Sequence, residues 1–436
     1  MRYKVYAGLV SVTFPSSTKA RFYWAEKTLV YDSYGDSVEG EETNGIVAEP
    51  VVDLENKSAG TFSCRVPYQV ATRFGQVKNP YYDKFTMGRT FIMVEEDDEC
   101  IFFGRVTECE LEFNLDKTVT SDGILNELEQ INTRLGSGSY STCADSSSSL
   151  FASSSLLAFV MGADQSRKGD SPVNCMERGK VTVDDRTVNT SETGDQFGSL
   201  WSVLSTYLLE KDDAYLKLRL ANDPGTERFF FYYDYLKPED VPQTSQSIEY
   251  GVNMLDFVLD EKCSSDLVNS VTAHGTETVK HGWWIFKKTS YNTISSTAKD
   301  DKSIAKYGLR SRHIYVDGKT STTSSLNSTA DAELKKYKQN AEPTLTIKAF
   351  DRKDVGEKVE KLGYLLRTHI LSKPHSFDLW MVCTKVRLPL DAPDNKEFTF
   401  GLTSASLSKR TSGLTAMAQM LQDTVKGAVS YLNSIG

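Results

Sequence analysis

The sequence is short of several things, and each shortage excludes a class of protein. Its seven cysteines (Cys64, Cys100, Cys109, Cys143, Cys175, Cys263 and Cys383) are widely spaced, odd in number and form no Cys-x-x-Cys pair. That pattern argues against a disulfide framework and for mostly buried free thiols made in a reducing cytosol. Only five histidines occur, with no His-Glu-x-x-His and no His/Cys cluster at zinc-ligand spacing, so neither metal nor cofactor is expected. No apolar run approaches the about 18 residues of a membrane helix, and mean hydropathy is -0.38. Positive charge is also scarce. Fifty Lys and Arg against 59 Asp and Glu leave a net charge of -9, the wrong balance for gripping nucleic acid by phosphate neutralisation. There is no Gly-x-Ser-x-Gly elbow. The first residues, MRYKVYAGLVSVTF, have two early cations but neither a long apolar core nor a small-residue cleavage site, so no signal peptide is expected.

What is present is β-prone sequence. The 436 residues are 39% apolar, enough for roughly two to four domains of ~100–200 residues each. The stretch from Asn79 to Phe113 predicts three successive strands. Phe91 to Val94 is apolar. Glu95 to Glu99 is an acidic turn, Cys100 to Phe103 returns, and Gly104-Arg105-Val106 leads into a third strand. There Cys109, Leu111 and Phe113 alternate with Glu108, Glu110 and Glu112, the period of a strand with one buried face. Gly104 inside that pattern suggests a bulge or a close backbone approach.

Along the chain, Arg21 to Tyr31 and Phe62 to Val66 read as strands. Ser121 to Arg134 has helical spacing of Ile124, Leu125, Leu128 and Ile131, with Ser121 or Asp122 as N-cap. A Ser-rich run over 136–155 reads as a flexible loop. Gly179 to Val183 predicts a strand, Phe197 to Leu209 a helix, and Lys217 to Leu220 and Phe229 to Tyr235 strands. Strands follow near 266–275, 344–350, 379–388 and 397–402, with a polar helix over 328–341. Leu414, Met417, Leu421, Val425, Ala428, Leu432 and Ile435 step by threes and fours along one stripe of a C-terminal amphipathic helix. That stripe either docks on its own domain or self-associates.

Several motifs stand in an order that resembles the phage tail hub family, including the N-terminal hub region of prophage tail endopeptidases (tail-associated lysins). They are Gly60 to Pro67 (GTFSCRVP), Asn79-Pro80-Tyr81, Phe103-Gly104-Arg105-Val106, the Gly179–Val183 strand, the Tyr-x-Asp-Tyr of Tyr232 to Tyr235, and Ser245 to Asp256 (SQSIEYGVNMLD). Family members often carry a His-Asn pair where this chain has Leu156-Leu157-Ala158-Phe159. The resemblance implies an α+β, mainly β chain. A first β-barrel hub domain (1–115) and a second with an inserted helix (246–405) flank a mixed domain (116–245), and a helix (406–436) follows. It implies a homotrimer forming a pseudo-sixfold ring in the tail tip or baseplate of a virion, made in the bacterial cytoplasm. The ring would join the tail tube or distal tail protein to a central spike or fibre, with a tape measure protein as a further neighbour and DNA only as passing cargo. It implies no catalysis, because the family's hydrolase activity resides in an extra C-terminal module for which the chain has no room. The other readings are a tail-associated peptidoglycan hydrolase or endopeptidase, and a glycan-binding tail module.

The residues singled out as a subunit interface are Gly104, Arg105, Trp283, Trp284, Leu414, Met417, Leu421, Val425 and Leu432. Gly104-Arg105 reads either as a subunit contact or as a fold-specific bulge with a buried ion pair. Trp283-Trp284 suits a subunit contact, where Trp is enriched, or a platform for a glycan ring.

Overall fold

The computed structural model describes residues 2–16, 19–35, 46–72, 75–135, 138–144, 155–161, 172–190, 196–212, 214–260, 267–281, 288–316, 322–338, 344–350, 362–372 and 377–400. They fall into two compact units. One comprises Met1–Val258 with Leu345–Gly401, and the described residues of the other lie within Leu259–Thr344.

The first unit is built on one long sheet. Its neighbours run Met176–Val181, Arg228–Leu236, Lys19–Asp32, Tyr3–Ser16, Thr90–Glu96, Glu99–Leu111, Lys117–Gly123, Thr61–Val66, Ala48–Glu55, Phe377–Pro389, Glu397–Phe400, Thr344–Ala349 and Met254–Asp260. Most pairings whose register is given are antiparallel; Met176–Val181 lies parallel to Arg228–Leu236. Segments from early and late in the chain meet here. Val386 and Leu388 face Leu54 and Val52 across an antiparallel ladder. One core accordingly joins Val5, Phe62, Ile92 and Val119 to Ile347, Val386, Phe398 and Phe400.

Periodicity explains which strands carry this core. In Thr61–Val66, Phe62, Cys64 and Val66 are buried and Thr61 is exposed. Thr90–Glu96 is buried on both faces, and its Phe91–Val94 stretch reads as a continuous apolar run. Ile92 and Val94 face the core above, while Phe91 stacks on Phe103 at 5.3 Å in an aromatic cluster with Phe22, Phe229 and Phe231. That cluster gives the Phe229–Phe231 run its role.

In the second unit, Ser270–His281 is the centre of three strands. It is antiparallel to Lys288–Lys299 and parallel to Ser311–Tyr315. The helix Thr323–Lys338 covers one face, packing Leu326, Ala330 and Leu334 on Val271, Ala273 and Ala298. The described residues contain no helix long and apolar enough to cross a membrane.

The chain is mainly β, as its sequence indicates, but several details differ. Among the described residues the long sheet is an open path, not a closed barrel. Cys100–Phe103 and the following stretch are one strand, Glu99–Leu111, because Gly104 keeps its place in both ladders. The helix expected over 121–134 is instead the end of a strand, Lys117–Gly123, and a single 3-10 turn, Ile124–Leu128. Ser121 is held by Phe62 and Val106 on either side, so the expected cap is committed to the sheet. The helix over 197–209 is present only from Leu200, after the Ser199 side chain caps Ser202. The polar helix begins at Thr323, not Ser328, since Thr322 accepts from the Ser325 N–H. The C-terminal stripe from Leu414 to Ile435 and Trp283-Trp284 lie outside the described residues.

Candidate functional site

Gly104 and Arg105 turn out to be joints of the fold. A Cβ on Gly104 would stand 2.1 Å from the Asp122 carbonyl oxygen, so only glycine admits that approach. The register irregularities of this strand fall at Val94/Glu95 and Val106/Glu108, so close approach rather than a bulge explains Gly104. Arg105 uses its guanidinium within the subunit. Nε and Nη2 donate to Glu127 Oε1 and Oε2 at 2.6 and 3.1 Å, and Nη1 donates to the Gly88 carbonyl at 3.0 Å. The same group sits 4.7 Å from the Phe91 ring centre. A bidentate, stacked arginine of this kind fixes geometry as well as charge.

The Asn79-Pro80-Tyr81-Tyr82 motif is a second joint. Buried Asn79 donates to the Ile46 and Pro67 carbonyls at 2.9 and 3.0 Å, and its Oδ1 accepts from the Tyr81 N–H. The Tyr82 hydroxyl donates to the Leu115 carbonyl at 2.6 Å. Asp116 accepts from the Tyr68 N–H at 2.8 Å and from Arg65. These bonds brace the hairpin tip between Glu99–Leu111 and Lys117–Gly123. Braced in this way, the tip displays Leu111 (61% exposed), Phe113 (105%) and Leu115 (47%) to solvent. Period-two reading placed Leu111 and Phe113 on a buried face. The strand ends at Leu111, however, and the turn that follows breaks the alternation. The Asn114–Asp116 turn residues were the available signal.

A third joint explains the SQSIEYGVNMLD motif. Buried Asn253 donates to the Ser247 carbonyl at 3.0 Å and accepts from the Glu249 N–H at 2.8 Å. The strand it launches, Met254–Asp260, ends the sheet path. Met254 faces the core, while Leu255 and Val258 are 54% and 57% exposed. An end strand with outward apolar side chains is a template for further pairing.

Charge inside the first unit is paired. Lys396, 2% exposed, approaches Glu96 Oε1 at 3.3 Å, and the buried Tyr3 hydroxyl donates to the same oxygen at 2.7 Å. Asp32 is fully buried beneath Arg2, whose Nη2 lies 2.6 Å away. Burial pushes the Asp32 carboxyl up, but the Arg2 fork and the Tyr34 N–H outweigh it and hold it below the usual range. Asp234 is likewise held down against its burial by Arg219 and the Lys180 N–H. Six cysteines lie among the described residues, all free and four of them buried. Burial raises the Cys143 thiol to about 11. Cys263, the nearest cysteine in sequence to His274, is outside the described residues. His369 Nε2–H donates to Asp378 Oδ1 at 2.8 Å, and the ring stacks flat on Trp380, with ring centres 4.6 Å apart. Among the described residues, no group of three or more His, Cys, Asp or Glu could hold a metal ion.

These features are structural joints and exposed apolar surfaces. No family model and no curated protein sequence matches the chain. Solved structures do. The 43 kDa tail protein of prophage MuSo2 from Shewanella oneidensis superposes with a TM-score of 0.52 at 8% identity, covering 92% of this chain and 98% of that one. The tail protein from Neisseria meningitidis MC58 superposes with a TM-score of 0.53 at 11% identity, covering 92% and 96%. At such identities the likeness is one of fold, and over nearly its whole length the chain has the fold of these two tail proteins.

Proposed function

We propose that this chain is a structural hub protein of a phage or phage-like tail, located at the tail tip or baseplate of the particle. The observation that carries the reading is the fold shared with two tail proteins over 92% of the chain. The ordered motifs from Gly60 to Asp256 support it, and three of them, at Asn79, Gly104 and Asn253, are joints of the fold. In this reading three copies form a pseudo-sixfold ring, with 1–115 and 246–405 as its two hub domains. Their barrels are completed only when open sheet ends meet neighbouring copies. Closed cyclic symmetry lets one chain type make such a ring. The partners are the tail tube or distal tail protein, a central spike or fibre and a tape measure protein, with DNA passing through. A net charge of -9 favours passage over adhesion.

The interface is proposed to involve the exposed hairpin tip at Phe113 and the end strand at Leu255 and Val258. The previously identified Gly104, Arg105, Trp283, Trp284, Leu414, Met417, Leu421, Val425 and Leu432 remain candidates for it. Solution mass by light scattering across a dilution series tests the ring. The subunit is 48.7 kDa, and a species of three times that mass, stable to dilution, is expected. A monomer at every concentration, with or without the tube protein of the same particle, refutes the ring.

A further inference from the structure

One face of the second unit's sheet is covered by the Thr323–Lys338 helix. By register, the opposite face carries Thr272, His274 and Thr276 from the central strand. His313 and Tyr315 come from one neighbour, and Ser295 and Thr297 from the other. At its centre two imidazoles meet. His274 Nε2 lies 2.8 Å from His313 Nδ1. The ring centres are 5.2 Å apart and the planes differ by 16°. That separation is the nitrogen–nitrogen gap plus two ring radii, so the rings meet edge to edge in nearly one plane. Tyr315 stacks on His274 at 5.1 Å and holds that ring in place.

We propose that His274 and His313 form a two-imidazole chelate for a late first-row divalent ion such as Ni2+, Cu2+ or Zn2+, with water completing the coordination shell. Imidazole is the ligand these ions prefer, whereas Ca2+ and Mg2+ take oxygen. Two nitrogens held about 2.0–2.1 Å from one ion at a right angle stand about 2.9 Å apart, close to the spacing here. One ring now donates its N–H to the other's lone pair. On binding, that proton shifts to the far nitrogen of the same ring, each ring turns about 45° off the present nitrogen–nitrogen line to aim its lone pair at the ion, and two metal-bound waters leave. Neutral rings release no net proton.

The test is calorimetric titration of Ni2+ into the tag-free, chelator-treated full chain and into His274→Gln, His313→Gln and His369→Gln. One saturable site is expected, weakened at least tenfold by either of the first two substitutions and unchanged by the third. Electron paramagnetic resonance of the Cu2+ complex should show two coupled nitrogens, and one in either single variant, provided far-UV circular dichroism is unchanged. The proposal is overturned by the absence of a saturable site, by binding that survives both variants or depends on His369, or by competition from Ca2+ at equal concentration.

Discussion

At the scale of single residues, Asn79, Gly104 and Asn253 are positions where one residue settles several backbone segments. Gly104 is the sharpest of them, since a Cβ there would stand 2.1 Å from the Asp122 carbonyl oxygen, a backbone atom that cannot swing aside, and 2.8 Å from the Phe102 ring. Gly104→Ala should cost about 1–3 kcal/mol, the penalty of overpacking, with Arg105 and Glu127 untouched. Gly225→Ala makes the contrast: at φ +72 it meets open space and only the left-handed backbone penalty, so it should cost about 1–2 kcal/mol and less than Gly104→Ala. Denaturant midpoints compared at constant slope decide this; equal losses at the two sites would refute the close-approach account.

The buried carboxylates also make residue-scale statements about pH. Asp32 and Asp234 are held below their ordinary value in the folded chain. Their stabilisation is therefore complete above the unfolded carboxylate pKa of about 4 and is lost as pH falls through the lower folded value. Asp32→Asn should lower stability at pH 7 by about 1–3 kcal/mol, because Arg2 loses its charged partner. It should also flatten the acid limb below about pH 4. Urea unfolding at a series of pH values measures both effects. An acid limb as steep as that of the unsubstituted chain would remove Asp32 from the account.

At the scale of elements, strands were more legible than helices: the helices expected over 197–209 and 328–341 are present with shifted starts, and the one over 121–134 is absent. Arg21–Tyr31 and Phe229–Tyr235 lie inside observed strands because β-branched and aromatic residues mark both faces of a buried sheet. The helix over 121–134 failed because the spacing of Ile124, Leu125 and Leu128 fits a buried 3-10 turn equally well, and Ser121 was already paired. Nothing local in the sequence reports that pairing. Likewise, the joining of Ala48–Glu55 to Phe377–Pro389 links residues more than 300 positions apart and has no sequence signature. The candidate site was legible only in its joints. Gly104 and the Asn79 motif were visible, but the exposed Phe113 tip was not, since period alone cannot say where a strand stops.

The second unit shows an element whose face is fully specified. Leu326 of the Thr323–Lys338 helix is completely buried against the strand carrying Val271 and Ala273. Leu326→Ala should cost about 2–5 kcal/mol through lost burial and the cavity left behind. Hydrogen exchange should then show faster exchange at the Val271 and Ala273 amides, which lie under that helix. Unchanged protection there would mean the helix contributes little to holding the sheet.

At the scale of the whole molecule, the question is why a chain with well-braced joints leaves large apolar side chains outside. A lone exposed apolar residue needs no explanation, but Leu111, Phe113 and Leu115 share one tip, held by bonds from Tyr82, Tyr68 and Arg65. Rigid presentation lowers the entropy lost on docking, which is what an assembly surface requires. If the ring reading holds, Phe113→Asp should shift the light-scattering mass from trimer toward monomer, and Leu255→Asp should do the same at the end strand. Neither should alter the thermal midpoint of the isolated chain, because both side chains are already in water. A trimer unaffected by both substitutions would place the interface elsewhere, and the tip would then be free to meet a different tail component. A fall in monomer stability would instead show that Phe113 packs within its own chain, which its full exposure argues against.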